Sequence, residues 1–270
     1  MIRKITLALF CLLAFKLAGA QTIDTLVDVG GHSLHFHIIK GTGTPILFEA
    51  GNGDEGSIWQ PILDPIFNAT RATLITYDRA GLGKSGFDPA RIGLLNEIED
   101  LELALKKLGY SKKIFIVCHS FGGFYSSLFT YRNPKKVKGV VCVETVSPCF
   151  FTKEWTEAFI KTLKPEELEE IKKTKPGWYY SIMNLPVNSV YMQDKYLDSK
   201  TPVTMIRAEN IMDIIKPDEQ AKWIDCCQSF GTMPNHTYVV AKNADHHVWQ
   251  KNPEVVITEV TRLYQHVTEK

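Results

Sequence analysis

Two hydrophobic rhythms alternate along the chain, and the switches between them mark its elements. β-rich runs at residues 23–29 and 33–40 flank Gly30-Gly31 and predict a hairpin. A turn cluster at 41–45 precedes a strand at Ile46-Leu47-Phe48. A helical stretch near 58–67 and a strand at 72–77 follow. Over 94–108, Leu94, Ile98, Leu101, Leu105 and Leu108 keep a helical period, and Gly109 stands where a C-cap glycine belongs. Residues 113–118 are almost wholly apolar, as expected of a central strand buried on both faces. A helix at 121–132 and a buried strand at 137–143 complete the first half. This alternation predicts a parallel sheet with helices on both faces.

The rhythm breaks at 147–200, which is rich in aromatic and charged residues and carries Pro165, Pro176 and Pro186. We read this stretch as short helices inserted over the sheet. Alternation resumes with a strand at 203–207, a helix near 218–228, a strand at 237–240 and a last helix over 253–268. The expected organisation is a core of residues 21–146 and 201–270 interrupted by a cap at 147–200.

The first twenty residues stand apart. A basic start at Arg3-Lys4 leads into an apolar run over 5–15, too short for a comfortable membrane span, and then Ala18-Gly19-Ala20. This is the layout of a secretory signal cut after Ala20, so the mature protein is expected to be exported, periplasmic or secreted, with no stable membrane span. Lys+Arg is 31 and Asp+Glu 30. Three of the basic residues lie in the leader, which leaves the mature chain slightly acidic and gives no support to a nucleic-acid partner. Five of the six cysteines lie beyond the leader. That odd number leaves at least one unpaired within the chain, and a bridge from Cys226 or Cys227 to Cys149 is conceivable.

The chemistry centres on Val117-Cys118-His119-Ser120-Phe121-Gly122-Gly123, where a buried strand turns into a helix. A serine on such a turn has strained dihedrals and projects its hydroxyl above the sheet. Its neighbours two residues away must be small because backbones approach closely. The following helix aims its N–H groups at the same point, where an anionic tetrahedral intermediate would be stabilised.

On these residues the chain resembles the α/β-hydrolase family, over nearly all of the mature sequence. The family's Gly-x-Ser-x-Gly elbow appears with Cys118 in place of the first glycine. Phe48-Glu49-Ala50-Gly51-Asn52-Gly53 looks like its oxyanion loop, with Ala50 where histidine is more usual. Tyr77-Asp78-Arg79-Ala80-Gly81-Leu82-Gly83-Lys84-Ser85 matches its Asp-Arg-x-Gly-x-Gly-x-Ser turn, whose usual role is structural. Ala244-Asp245-His246-His247, with Pro253 seven residues beyond His246, matches the spacing of its catalytic histidine and final helix. The resemblance implies an α/β-hydrolase fold with a helical cap and a triad in the order Ser120, Asp213, His246. The oxyanion donors would be the N–H groups of Phe121 and Asn52, or of Gly51 instead of Asn52. Asp213 is preferred as the acid because Asp213-Ile214-Ile215-Lys216-Pro217 resembles the family's Asp-x-x-x-Pro. Glu209 and Asp218 are alternatives, as is Glu144, which follows the preceding strand. Serine rather than aspartate at the elbow points away from the family's dehalogenases and epoxide hydrolases, towards a small-molecule ester, lactone or thioester. No cofactor is expected. A catalytically idle member binding a small ligand under its cap is the alternative.

Other motifs have plainer readings. Asp245-His246-His247 lacks the upstream acidic cluster of a metal phosphoesterase. His35 and His37 share one strand face and could pair on a metal, but two ordinary hairpin histidines are favoured. No metal site is expected. A Walker loop ending at Gly83-Lys84-Ser85 would need glycine where Asp78 stands. Cys118, on a buried strand, is read as a packed thiol. Trp155, Trp178, Tyr179, Tyr180 and Tyr191 either wall a pocket or pack the cap.

Overall fold

The computed structural model describes residues 21–268. The expected leader lies outside them. Eight strands form one sheet in the order β1-β2-β4-β3-β5-β6-β7-β8. β1 (Thr22–Asp28) and β2 (Ser33–Ile39) make the expected hairpin, bent at Gly30 and Gly31, both with positive φ. β2 runs antiparallel to β4 (Ala72–Asp78). From β4 onward every pairing is parallel, through β3 (Gly43–Glu49), β5 (Ile114–His119), β6 (Val137–Val143), β7 (Val203–Ala208) and β8 (His236–Ala241).

Strand alternation splits the core in two. Along β5, Ile114, Ile116 and Cys118 join one cluster, while Phe115 and Val117 join the other. The first face is covered by α2 (Leu94–Lys107), α3 (Gly122–Arg132) and α8 (Gln220–Gly231), through residues such as Leu101, Phe124 and Trp223. The second is covered by α1 (Gln60–Thr70), the short α9 (Val248–Lys251) and α10 (Pro253–Thr268), with Trp59, Ile62, Trp249 and Val260 at its centre. α9, a single turn, has no signature in the hydrophobic pattern.

The insertion is helical, as expected. It holds α4 (Lys153–Ile160), α5 (Pro165–Thr174), α6 (Pro176–Met183) and α7 (Leu185–Tyr191). Proline opens α5 and α6, where a missing N–H costs nothing. A disulfide from Cys149 to Cys226 ties the start of the cap to α8, and Cys118, Cys142 and Cys227 are buried free thiols. The cap is seated directly on the sheet's loops. Lys175 Nζ donates to the Gly53 carbonyl at 2.9 Å, and the Gly177 N–H to that of Gly81 at 3.3 Å. Among the described residues no helix is long and apolar enough to cross a membrane.

Candidate active site

The parallel strands deliver their loops to one edge, and the candidate residues collect there. β5 ends at His119, and Ser120 takes a left-handed conformation with φ 51° before α3 begins at Gly122. A non-glycine residue in that region is strained by roughly 1–3 kcal/mol. The turn is held from both sides: the Ser120 N–H donates to the Val143 carbonyl, and the Ser120 carbonyl accepts from Gly123 and Val146. The glycines after the serine have a steric cause. A Cβ on Gly122 would lie 2.7 Å from the Ala50 carbonyl oxygen, and one on Gly123 2.7 Å from Thr145 Cβ. Cys118 substitutes for the family's first glycine because its thiol fits inward, 3.6 Å from the Val141 carbonyl. Burial pushes that thiol well above its ordinary pKa, so it stays protonated and is no rival nucleophile.

His246 lies on the loop between β8 and α9, and it lines the same cavity as Ser120 and Phe121. Its Nδ1 faces Glu144 Oε2 at 3.6 Å. Glu144 is fully buried at the end of β6, also with a left-handed backbone, φ 50°. Its Oε1 accepts the Ala208 N–H at 2.6 Å, and its own N–H donates to Ile206. Its Oε2 is left with no hydrogen-bond partner, and the same holds for His246 Nδ1. Among the described residues the carboxylate facing His246 is thus that of Glu144, one of the alternatives to Asp213. Asp213 lies on an exposed loop after β7 and lines the cavity, but makes no ion pair with His246 among the described residues. Of the alternatives, Glu209 is engaged by Lys242 at 2.8 Å and by the Asn243 N–H at 2.9 Å, and Asp218 is exposed. The Asp-x-x-x-Pro spacing is matched, but β7 ends at Ala208 and residues 211–214 of the loop beyond it line the cavity.

Arg79 orders the oxyanion loop. Its buried guanidinium donates to Glu49 Oε1 at 2.7 Å, to the Ala50 carbonyl at 2.6 Å and to the Gly51 carbonyl. In a trans peptide the N–H points opposite to the C=O. Fixing the Ala50 and Gly51 carbonyls on Arg79 thus turns the N–H groups of Gly51 and Asn52 away from it. Asn52, like Phe121, lines the cavity. The Asp-Arg turn has its structural role in Asp78, which accepts from Gly56 and Lys84 N–H groups, but Arg79 reaches further than that role implies.

The cavity has a volume of about 580 Å³. Its walls are mainly apolar, including Phe151, Phe159, Ile182 and Leu185 from the cap and Ile211 and Met212 from the loop after β7. Of the five aromatics singled out in the sequence, Trp178 lines it. Trp155 stacks on Phe159, Tyr180 on Phe87, and Tyr179 and Tyr191 lie under Lys172 and Lys195. The apolar wall residues sit among charged neighbours in short helices, so no sequence pattern marks them. His35 and His37 do not form a metal pair: His35 is held between Asp78 at 2.9 Å and Asp24 at 3.0 Å.

Residues 44–172 match the family described as the alpha/beta hydrolase fold. The chain has the α/β-hydrolase fold. Among its relatives, an uncharacterised protein YqjL of Bacillus subtilis is 24% identical over 244 residues, covering 87% of this chain and 89% of that one. A haloalkane dehalogenase structure from Agrobacterium tumefaciens superposes with a TM-score of 0.67 at 19% identity, covering 93% of this chain and 98% of that one. A thermophilic esterase from Thermogutta terrifontis gives 0.61 at 19% identity, covering 92% and 100%. The eight-stranded, mostly parallel sheet with its flanking helices is this family's fold.

Proposed function

We propose that this α/β-hydrolase is an exported serine hydrolase that cleaves a carboxylic ester, lactone or thioester through an acyl-enzyme. The observation that carries the reading is the shared cavity: Ser120 on its strained turn and His246 both open onto it, and His246 backs onto buried Glu144. His246 takes the proton of the Ser120 hydroxyl as it attacks the ester carbonyl, then returns it to the leaving alcohol or thiol. Glu144, anchored through one oxygen, keeps the other for Nδ1 and stabilises the imidazolium. The N–H groups of Phe121 and Asn52 receive the oxyanion. A serine nucleophile separates this chain from the aspartate chemistry of the family's dehalogenases. The esterase among the structures of similar fold is in keeping with that choice. The apolar walls suit an apolar acyl group.

Export is supported by the leader-like first twenty residues and by the Cys149–Cys226 disulfide, a bond that persists in oxidising compartments. Titration with a fluorophosphonate tests the reading. Stoichiometric labelling of Ser120, lost in Ser120→Ala, is expected. An unlabelled, folded protein would leave the idle, ligand-binding reading standing.

A further inference from the structure

Beside the serine site lies a second group of side chains that ester chemistry does not use. His119 is almost fully buried, and its Nε2 lies 3.0 Å from the His246 carbonyl oxygen. A carbonyl only accepts, so Nε2 carries the hydrogen and Nδ1 presents a bare lone pair. That Nδ1 is buried with no hydrogen-bond partner. It faces Asp54 Oδ2 across 3.7 Å. Two acceptors aimed at each other in a buried setting repel unless positive charge lies between them. A gap of this size is bridged at a bent angle by an ion with bonds of about 2.0–2.2 Å.

A third ligand completes the group. Asp54, His119 and His247 each offer an atom, all within 4.8 Å of one another. The space is kept open by Gly51: a Cβ there would sit 2.7 Å from both Asp54 Oδ2 and His119 Nδ1.

We propose that Asp54, His119 and His247 form a site for a divalent transition-metal cation such as Zn²⁺, against the sequence expectation of no metal. Two imidazoles and one carboxylate suit zinc and its neighbours, whereas magnesium and calcium prefer all-oxygen sets. The ion joins three loops: the oxyanion loop through Asp54, the elbow through His119 and the histidine loop through His247. Its role is to tie these loops together. The site stands whether or not Ser120 is the nucleophile.

Calorimetric titration of the chelator-stripped mature protein with ZnCl₂ tests this, with Co²⁺ absorption reporting the coordination. One ion per chain is expected, with a visible Co²⁺ band and a raised Tm. Asp54→Ala and His247→Ala, both at partly exposed positions, should each weaken binding by more than about 100-fold, beyond what loss of an outer-shell partner costs. Ser120→Ala and His37→Ala should bind as the wild type does. The proposal fails if the wild type binds no stoichiometric ion. It also fails if both ligand variants bind normally, or if His37→Ala removes the binding and so locates it on the hairpin.

Discussion

The loops that leave β6 and β7 lie side by side and each offers a carboxylate, yet they set it in different surroundings. Glu144, on the first, is fully buried, and one of its oxygens is fixed by the N–H of Ala208, the last residue of β7. Asp213, on the second, is exposed among Ile211, Met212 and Ile214, which line the cavity. A carboxylate that must hold an imidazole in one orientation needs a fixed backbone and little competing water. The β6 turn supplies both, and the β7 loop supplies neither. What the β7 loop offers instead is wall, so under the proposed function the difference separates catalysis from substrate choice across two adjacent loops.

The comparison presumes that Ser120 and His246 do the chemistry, and Ser120→Ala gives the largest effect. A fall of roughly 10⁴-fold or more in kcat on a p-nitrophenyl ester is expected, with the circular dichroism spectrum unchanged. A variant keeping a tenth of the activity would put the nucleophile elsewhere. Next comes the direct contest of the two carboxylates. Glu144→Gln should lower kcat by about 10³- to 10⁴-fold, as expected when the acid of a triad becomes an amide. Asp213→Asn should change it by less than about threefold. The reverse ranking would return the acid to the β7 loop.

The pH profile sharpens the same point. A base must be neutral to accept the serine proton, so kcat/KM falls as pH drops through the pKa of that base. His119 is held at about 3 and so gains no proton around pH 6–7, and burial lowers His247 as well. A single acid limb in kcat/KM is therefore expected. It should persist in His247→Ala, whereas His246→Ala should remove the activity. The smallest effects belong to the wall. Met212→Ala and Trp178→Ala should lower kcat/KM selectively for longer acyl chains, by about 1–3 kcal/mol per lost methylene contact at most. Tyr179→Ala should leave the chain-length profile as it is, because that ring packs under Lys172. A uniform loss on every ester, together with a lower Tm, would assign Met212 and Trp178 to packing alone.

Local pattern was enough to establish the strand–helix alternation, the strand-to-helix turn at Ser120, the loop that carries His246 and the helical insertion. Each of these is written in neighbouring residues: periodicity over 94–108, small residues flanking Ser120, proline at the openings of cap helices. Which residues of the cap face the substrate was not legible, since Trp178 and Tyr179 are adjacent and alike, and only packing turns one inward. The same holds for the arginine of the Asp-Arg turn, whose hold on the Ala50 and Gly51 carbonyls depends on β3 and β4 lying side by side. The acid shows most clearly where sequence stops deciding. Glu144 and Asp213 are separated by 69 positions in the chain. Choosing between them requires knowing that β6 and β7 are neighbours and that a β7 N–H anchors Glu144. The sequence by itself determined the elements and the turn that carries Ser120, because both are properties of short segments. Tertiary structure alone decided which carboxylate faces His246, the cavity wall and the meeting of Asp54, His119 and His247, because each depends on segments far apart in the chain being brought within a few ångströms by the pairing order of the sheet.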